Sequence, residues 1–381
     1  MSASPVPGSP VRVTYIISAV NKALSFEWIA KHLNPHRVAL SFILLNPADS
    51  ELEQYIREVG LPVVRVVYRG KADLLRAIRE VRGQLNVWKS QVVHTHLFDA
   101  NVVGLLAAWS VGVPRRILTR HHSTLHHQYF PRAVYYDRFT NALTTHIVAI
   151  TEMVKRILVE KEGVKPEKIR LIHHGFDLGT FMQPQPERVA ALQQKYQANG
   201  RHPVIGVIAR QTEWKGIQYI IPAFATLLTQ YPTAKLLLAN AHGDYQKEIQ
   251  ALLNQYLPAE SYEQIRFEND LGSLYQLFDV YVHTPIDDHS EAFGQTYVEA
   301  LAAGIPAVFT LSGVAPEFIR HEENALVVPF ADSAAIAAAV QRYLTDPSLR
   351  AHVRTAGQTV ATQRFGLDTY LCALEDLYCG Q

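Results

Sequence analysis

Cysteine is nearly absent: of 381 residues only Cys372 and Cys379 carry thiols, seven apart in a stretch with helical periodicity. At 1.5 Å rise per residue they stand about 10 Å apart on one face, too far for a disulfide. Two thiols also do not complete a zinc site, so both are expected to be small buried hydrophobes. Long apolar runs are missing too, since VRVTYIISAV is about half the length that a membrane-spanning helix requires. The opening MSASPVPGSP has no basic region followed by an apolar one, so no signal peptide is read there and a cytoplasmic location is expected.

Net charge is almost zero, but the balance conceals an asymmetry. Residues 1–182 hold 23 Lys and Arg against 14 Asp and Glu, a surplus of +9, and the remainder carries −8. Such a split suggests that the first half meets something anionic, beside the plainer reading of a solvated basic face.

Short β-branched apolar runs alternate with amphipathic stretches along nearly the whole chain, the pattern of parallel α/β architecture. Strands are read near Val11–Ile17, Val38–Leu44, Pro62–Val67, Val92–His94, Arg116–Thr119, His146–Ile150 and Lys168–Ile172. A second series is read near Val204–Ala209, Ala234–Ala239, Ile265–Phe267, Val280–His283, Ala307–Phe309 and Ala325–Val328. The length favours two domains. They are drawn as 1–182 and 202–364, with 183–201 as a linker carrying a short helix at Pro186–Gln197 and 365–381 as a final helix. Ligands of doubly wound sheets bind beyond the carboxyl ends of the strands, so residues just after strands are the candidate site residues.

The densest constellation is HSEAFGQTYVEALAAGIPAVFT, His289–Thr310. A loop bearing Glu291 runs through Phe293 and Gly294 into a helix that bears Glu299. Gly294 lets the backbone approach a phosphate, and amides at a helix start attract one. Being on a loop, Glu291 is expected to contribute little to the core. Upstream, VIGVIARQTEWKGIQYIIPAF places Arg210, Lys215 and Gly216 between a strand and a helix, where a forked cation and a point cation suit a diphosphate.

These strings resemble the retaining glycosyltransferases of the GT-B fold, the glycosyl transferases group 1 family, through its E-x7-E signature and its GR-x-x-x-x-KG pattern. Ala209 stands where the family commonly has Gly. The resemblance implies two Rossmann-like α/β domains facing across a cleft, with the last helix returning to the first domain. It assigns donor-sugar contacts to Glu291, the nucleotide ribose to Glu299 and the pyrophosphate to Arg210 and Lys215. Gly216, Phe293, Gly294 and Gln295 complete the donor-binding set. It further implies transfer with retention at the anomeric carbon, no metal and no cofactor, because the cation pair takes the metal's place. The partners expected are a nucleotide-sugar donor and a glycan or lipid-linked acceptor, with no nucleic acid.

Six histidines fall in two strand-end segments, VVHTHLFDA and ILTRHHSTLHHQYF. Imidazole is the commonest metal ligand, so a His-ligated metal hydrolase is an alternative, although no carboxylate set follows them in sequence. In the family a T-x-H histidine lies near the reacting sugar, which selects His121, with His122 as the adjacent choice; His96 shapes the cleft. LIHHGFDLGTF resembles the family's NG-x-D turn, with His174 in place of Asn before Gly175 and Asp177. The Gly-Gly loop usual after the first strand is replaced by SAVNKALSFEW. A nucleotide-sugar epimerase would share this architecture, and a non-catalytic module would bind a sugar nucleotide through the same residues. Finally, Tyr129, Phe130, Tyr135, Tyr136 and Phe139 interleave with Arg132 and Arg138, a mixture suited to peripheral contact with an anionic membrane or to a phosphate-linked acceptor. The plainer reading is that these aromatics pack a helix.

Overall fold

Runs such as VRVTYIIS and VALSFILLN are apolar on both faces, which only a strand covered on both sides can bury. The computed structural model describes residues 9–183 and 185–380, and in it both runs are central strands of a parallel sheet. The chain divides into two compact units, residues 1–176 with 367–381, and 177–366. The Pro-rich opening segment lies outside the described residues up to residue 8.

The first unit is built on seven parallel strands: β1 (Val11–Ser18), β2 (Val38–Asn46), β3 (Val63–Val67), β4 (Val92–His96), β5 (Arg115–Arg120), β6 (His146–Ala149) and β7 (Ile169–Leu171). Their order is β3-β2-β1-β4-β5-β6-β7, so the topology reverses beside β1, where β4 lies in register with Tyr15 opposite His94 and Ile17 opposite His96. The turn after β1 puts Ala19 at φ 55°, a left-handed position that glycine would occupy without strain.

The second unit has six parallel strands: β8 (Val204–Ile208), β9 (Lys235–Ala239), β10 (Tyr262–Ile265), β11 (Val280–His283), β12 (Ala307–Phe309) and β13 (Leu326–Val327). They run β10-β9-β8-β11-β12-β13, with the reversal between β8 and β11. Its core joins alternate residues of β8, β9 and β11 to the helix Ile217–Leu228 through Ile220, Ile221, Phe224 and Leu227.

Four expectations are corrected. The division falls after Phe176 rather than Met182, because Phe181 is buried edge-on to Tyr275. The stretch 183–201 belongs to the second unit, where its helix Pro186–Lys195 buries Leu192. Strand β10 sits at Tyr262–Ile265 because it pairs with Leu236–Ala239, leaving Phe267 exposed. The thiols are not buried hydrophobes: Cys372 is exposed and Cys379 half-buried, since the helix Leu367–Cys379 turns Tyr370, Leu371, Leu374, Leu377 and Tyr378 inward. No helix among the described residues is long and apolar enough to cross a membrane.

That last helix is part of the first unit's core, where Leu374 is fully buried among residues of β1 and β2. Replacing Leu374 by Ala should lower stability by about 2–5 kcal/mol through the cavity left behind. Urea unfolding of both chains checks this, and an unchanged midpoint would show the helix to be dispensable.

Candidate functional site

In the second unit, the loops leaving β8 and β11 are locked together. Gly216 has φ 74°, and a Cβ there would come within 1.9 Å of the Thr284 carbonyl oxygen, so only glycine fits. The Ile286 amide donates to the Trp214 carbonyl at 3.1 Å. This stitching brings Lys215 Nζ into an ion pair with Glu291. The same Glu291 oxygen lies 3.1 Å from His283 Nε2. Its backbone amide donates to the Ser312 hydroxyl at 3.1 Å, and Gly313, at φ 61°, packs against Glu291 and Phe293 with no room for a Cβ.

Burial alone would raise the Glu291 carboxyl, but Lys215 and His283 outweigh it and hold it well below the ordinary carboxylate range. The expectation of a loop carboxylate peripheral to the core is therefore corrected: Glu291 is buried and charged because two partners meet it. His283, also buried, is depressed by desolvation, with Glu291 opposing. Its Nδ1 and the hydroxyls of Thr212 and Thr284 are buried with no protein partner. Such groups call for an explanation, and here they gather at the topological switch point.

Glu299 occupies a different setting. It lies on the helix Gln295–Ala302 and accepts one hydrogen bond, from the Tyr275 hydroxyl at 3.0 Å. Burial pushes its carboxyl up to about 7, with Tyr275 opposing. Gly294 begins this helix at φ 84°, and no side chain caps it. Gln295 and Arg210 are exposed. The Phe293 ring is buried edge-on to Phe365 at 5.9 Å, and its carbonyl accepts from the Val314 amide.

In the first unit, strand alternation sorts the histidines. His94 and His96 share one face of β4, and Thr119 on β5 and His121 just after it follow on the same side. His94 is fixed at 2.7 Å by both the Tyr378 and Thr119 hydroxyls. His96 Nδ1 lies 3.1 Å from His121 Nε2, and the His121 ring stacks on His174 at 5.6 Å. Burial, followed by the neighbouring imidazoles His174, His94 and His122, holds His121 well below its ordinary value. It is thus neutral at pH 7. Between these parts, Leu97 is forced to φ 74°, a strained conformation of the kind that accompanies functional sites.

His122 belongs to another cluster. It lies 3.6 Å from Asp137, which takes a 2.6 Å hydrogen bond from His126. One carboxylate does reach these histidines, since the helix Ala133–Leu143 folds Asp137 back onto them. Arg120, which is bound to both oxygens of Glu162 at 2.7 and 2.8 Å, also stands 3.5 Å from that Asp137 oxygen. Its fixed positive charge opposes a divalent cation there.

Sequence reasoning missed His283, Tyr275 and Asp137. His283 at the end of β11 was detectable as a strand-end residue; Tyr275 and Asp137 carried no sequence signal.

Comparison with known proteins follows the same division. Residues 189–360 match the family model for glycosyl transferases group 1, and residues 28–180 match glycosyltransferase family 4. The capsular polysaccharide biosynthesis glycosyltransferase CapM of Staphylococcus aureus is 25% identical over 347 residues, 88% of each chain. A D-inositol 3-phosphate glycosyltransferase of Xylanimonas cellulosilytica is 27% identical over 307 residues, 75% of this chain and 71% of that one. Among solved structures, Anabaena Alr3699/HepE with UDP and glucose superimposes with a TM-score of 0.81 at 19% identity, over 95% of this chain and 98% of that one. The architecture is therefore that of the GT-B fold. An epimerase gains no support from these matches.

The raised Glu299 carboxyl has a measurable consequence. Folding strengthens its hold on a proton, so its contribution to stability is full below the ordinary value near 4.5 and is lost as pH rises through about 7. Relative to Glu299→Gln, the wild type should lose on the order of 3 kcal/mol across that window. Urea midpoints of both chains from pH 4 to 8 test this, and parallel pH profiles would refute it.

Proposed function

We propose that this chain, a glycosyltransferase of the group 1 type, moves a sugar from a nucleoside diphosphate donor to a glycan or lipid-linked acceptor, with retention at the anomeric carbon and without a divalent metal. UDP and UDP-glucose are bound by the Anabaena protein, which supports the donor class. The capsular polysaccharide role of the S. aureus relative supports cell-surface glycan synthesis, carried out in the cytoplasm or at the inner face of the membrane.

The observation that carries the reading is the Lys215–Glu291–His283 cluster, with unanswered polar atoms beside it at the exits of β8 and β11. In the proposed reaction, the bond from the anomeric carbon to the diphosphate oxygen breaks with its electron pair going to the diphosphate. The acceptor oxygen then bonds to the same face through an oxocarbenium-like state, its hydroxyl proton passing to the departing diphosphate oxygen. Arg210 and Lys215 stabilise the departing diphosphate, where negative charge develops. Gly216 and Gly294 allow the backbone to approach it, and the amides of the helix starting at Gln295 add donors. Glu291 orients donor hydroxyls, Glu299 the ribose, and neutral His121 the sugar near its reacting face. His283 keeps Glu291 charged and aimed when Lys215 turns to phosphate.

Arg210→Ala and Lys215→Ala should each weaken nucleoside diphosphate binding by about 1.5–3 kcal/mol, as read by calorimetry; unchanged affinity in both would reject the assignment. A chelator should leave turnover intact. Loss of activity restored by one particular metal would instead direct attention to His122, His126 and Asp137. NMR of the first-formed product should show the donor's anomeric configuration, and inversion would overturn retention.

A further inference from the structure

The helix Ala133–Leu143 is built with its polarity reversed. The residues it buries are polar, Asp137, Thr140 and Asn141, while Tyr135, Tyr136 and Phe139 are 74%, 45% and 45% exposed. The aromatics therefore do not pack a helix against the core. The inversion follows from the buried network beneath: Arg120 holds Asn141 at 2.9 Å and lies beside Asp137, and the Asn141 amide donates to Glu162 at 2.6 Å. With much of its polar side committed inward, the helix presents three aromatic rings outward, beside Arg138. Phe130 and Tyr129, just before it, are more than half exposed as well. A patch of this kind marks an interaction site.

The patch is not flat. Together with the segment after β3 and the start of the helix Phe98–Ser110, it encloses a cavity of about 620 Å³ within the first unit. Its walls include Leu74, Phe98, Val102, Phe130 and Tyr136, and its charged groups are Lys71, Asp99 and Arg132. Asp99 is answered within the cavity. Burial raises its carboxyl, while the Tyr68 hydroxyl and Lys71 draw it back. Arg132 pairs with no carboxylate among the described residues, so the unbalanced charge of the cavity is positive. Phe98 also meets His126 edge-on at 5.5 Å, and His126 packs at 3.9 Å on His122, the neighbour of His121 in the chain. The cavity wall thus continues into the histidine loop.

An apolar volume with one uncompensated cation matches a ligand with a hydrocarbon chain and an anionic head. We propose that this cavity holds the hydrocarbon chain of a lipid-phosphate acceptor, with Arg132 answering its phosphate. This rests on the acceptor half of the reading above, which left glycan and lipid-linked acceptors open, and it chooses the second.

The test is calorimetry on the full chain with decyl phosphate below its micellar concentration, beside inorganic phosphate, decanol and UDP. Decyl phosphate should bind saturably, one per chain, and inorganic phosphate should bind far more weakly because most of the affinity comes from the chain. Val102→Trp or Ala133→Trp, each filling the cavity, should weaken decyl phosphate about tenfold or more. Arg132→Glu should weaken decyl phosphate to a similar degree, about tenfold, while leaving decanol unchanged. UDP binding should be the same in all variants. Two filling variants guard against one that fails to fold, which circular dichroism would reveal. Decyl phosphate binding that is absent, or indifferent to both tryptophans, overturns the proposal and leaves the patch to a protein partner. If UDP binding is absent while the decyl phosphate pattern holds, the donor assignment falls and the cavity assignment stands.

Discussion

A buried negative charge at Glu291, kept ionised by Lys215 and His283, is the constraint on which the second unit depends. An unpaired carboxylate in this position would be too costly to stay charged, and a neutral one would not hold the loop against Lys215. The pair therefore fixes where the loops after β8 and β11 meet, and with them the glycines at 216 and 313, which admit no side chain. Further along the same motif, Glu299 shows the opposite outcome of the same burial. With only a tyrosine hydroxyl to answer it, its carboxyl rises to about 7 rather than falling. Two carboxylates on one motif are thus separated in protonation by their partners alone, the usual route by which one site obtains two chemistries.

The first unit solves a different problem, placing several imidazoles close together without accumulating charge. Desolvation is the leading cause for His94, His96, His121 and His174, each held below its ordinary value. Neutral rings can then stack and share hydrogen bonds where imidazolium ions would repel. His94 is anchored from one side by Tyr378, which comes from the far end of the chain. The final helix thereby reaches into the histidine cluster and does more than cover the sheet.

Much of this was legible in the sequence. All strands but β10 fall within a few residues of their expected places, because fully covered parallel strands read as unbroken apolar runs. The exception, YEQI, is an edge strand and carries polar side chains. Glu291, Lys215 and Gly216 are nameable from sequence because their spacing across strand, loop and helix is local. The partners were not legible. Tyr275 lies 24 residues from Glu299 and Asp137 lies 11 from His126, and nothing in composition or periodicity signals such pairings. Cys372 failed for a related reason, since which way a side chain faces near a helix end is set by what packs there.

The buried network under the helix Ala133–Leu143 links these themes. Arg120, Asp137, Asn141 and Glu162 satisfy one another at 2.6–3.5 Å, and a fully answered polar network is stable inside a protein where a partly answered one is not. An apolar core would hold the same helix with its aromatic side inward and would be at least as stable. A network in that place accordingly has a directional effect: it orients Tyr135, Tyr136 and Phe139 outward and positions Asp137 to aim His126 and, through it, the loop that bears His121. The outward aromatics of the first unit thus follow from one arrangement, in which polar groups are committed inside and the rings are left outside.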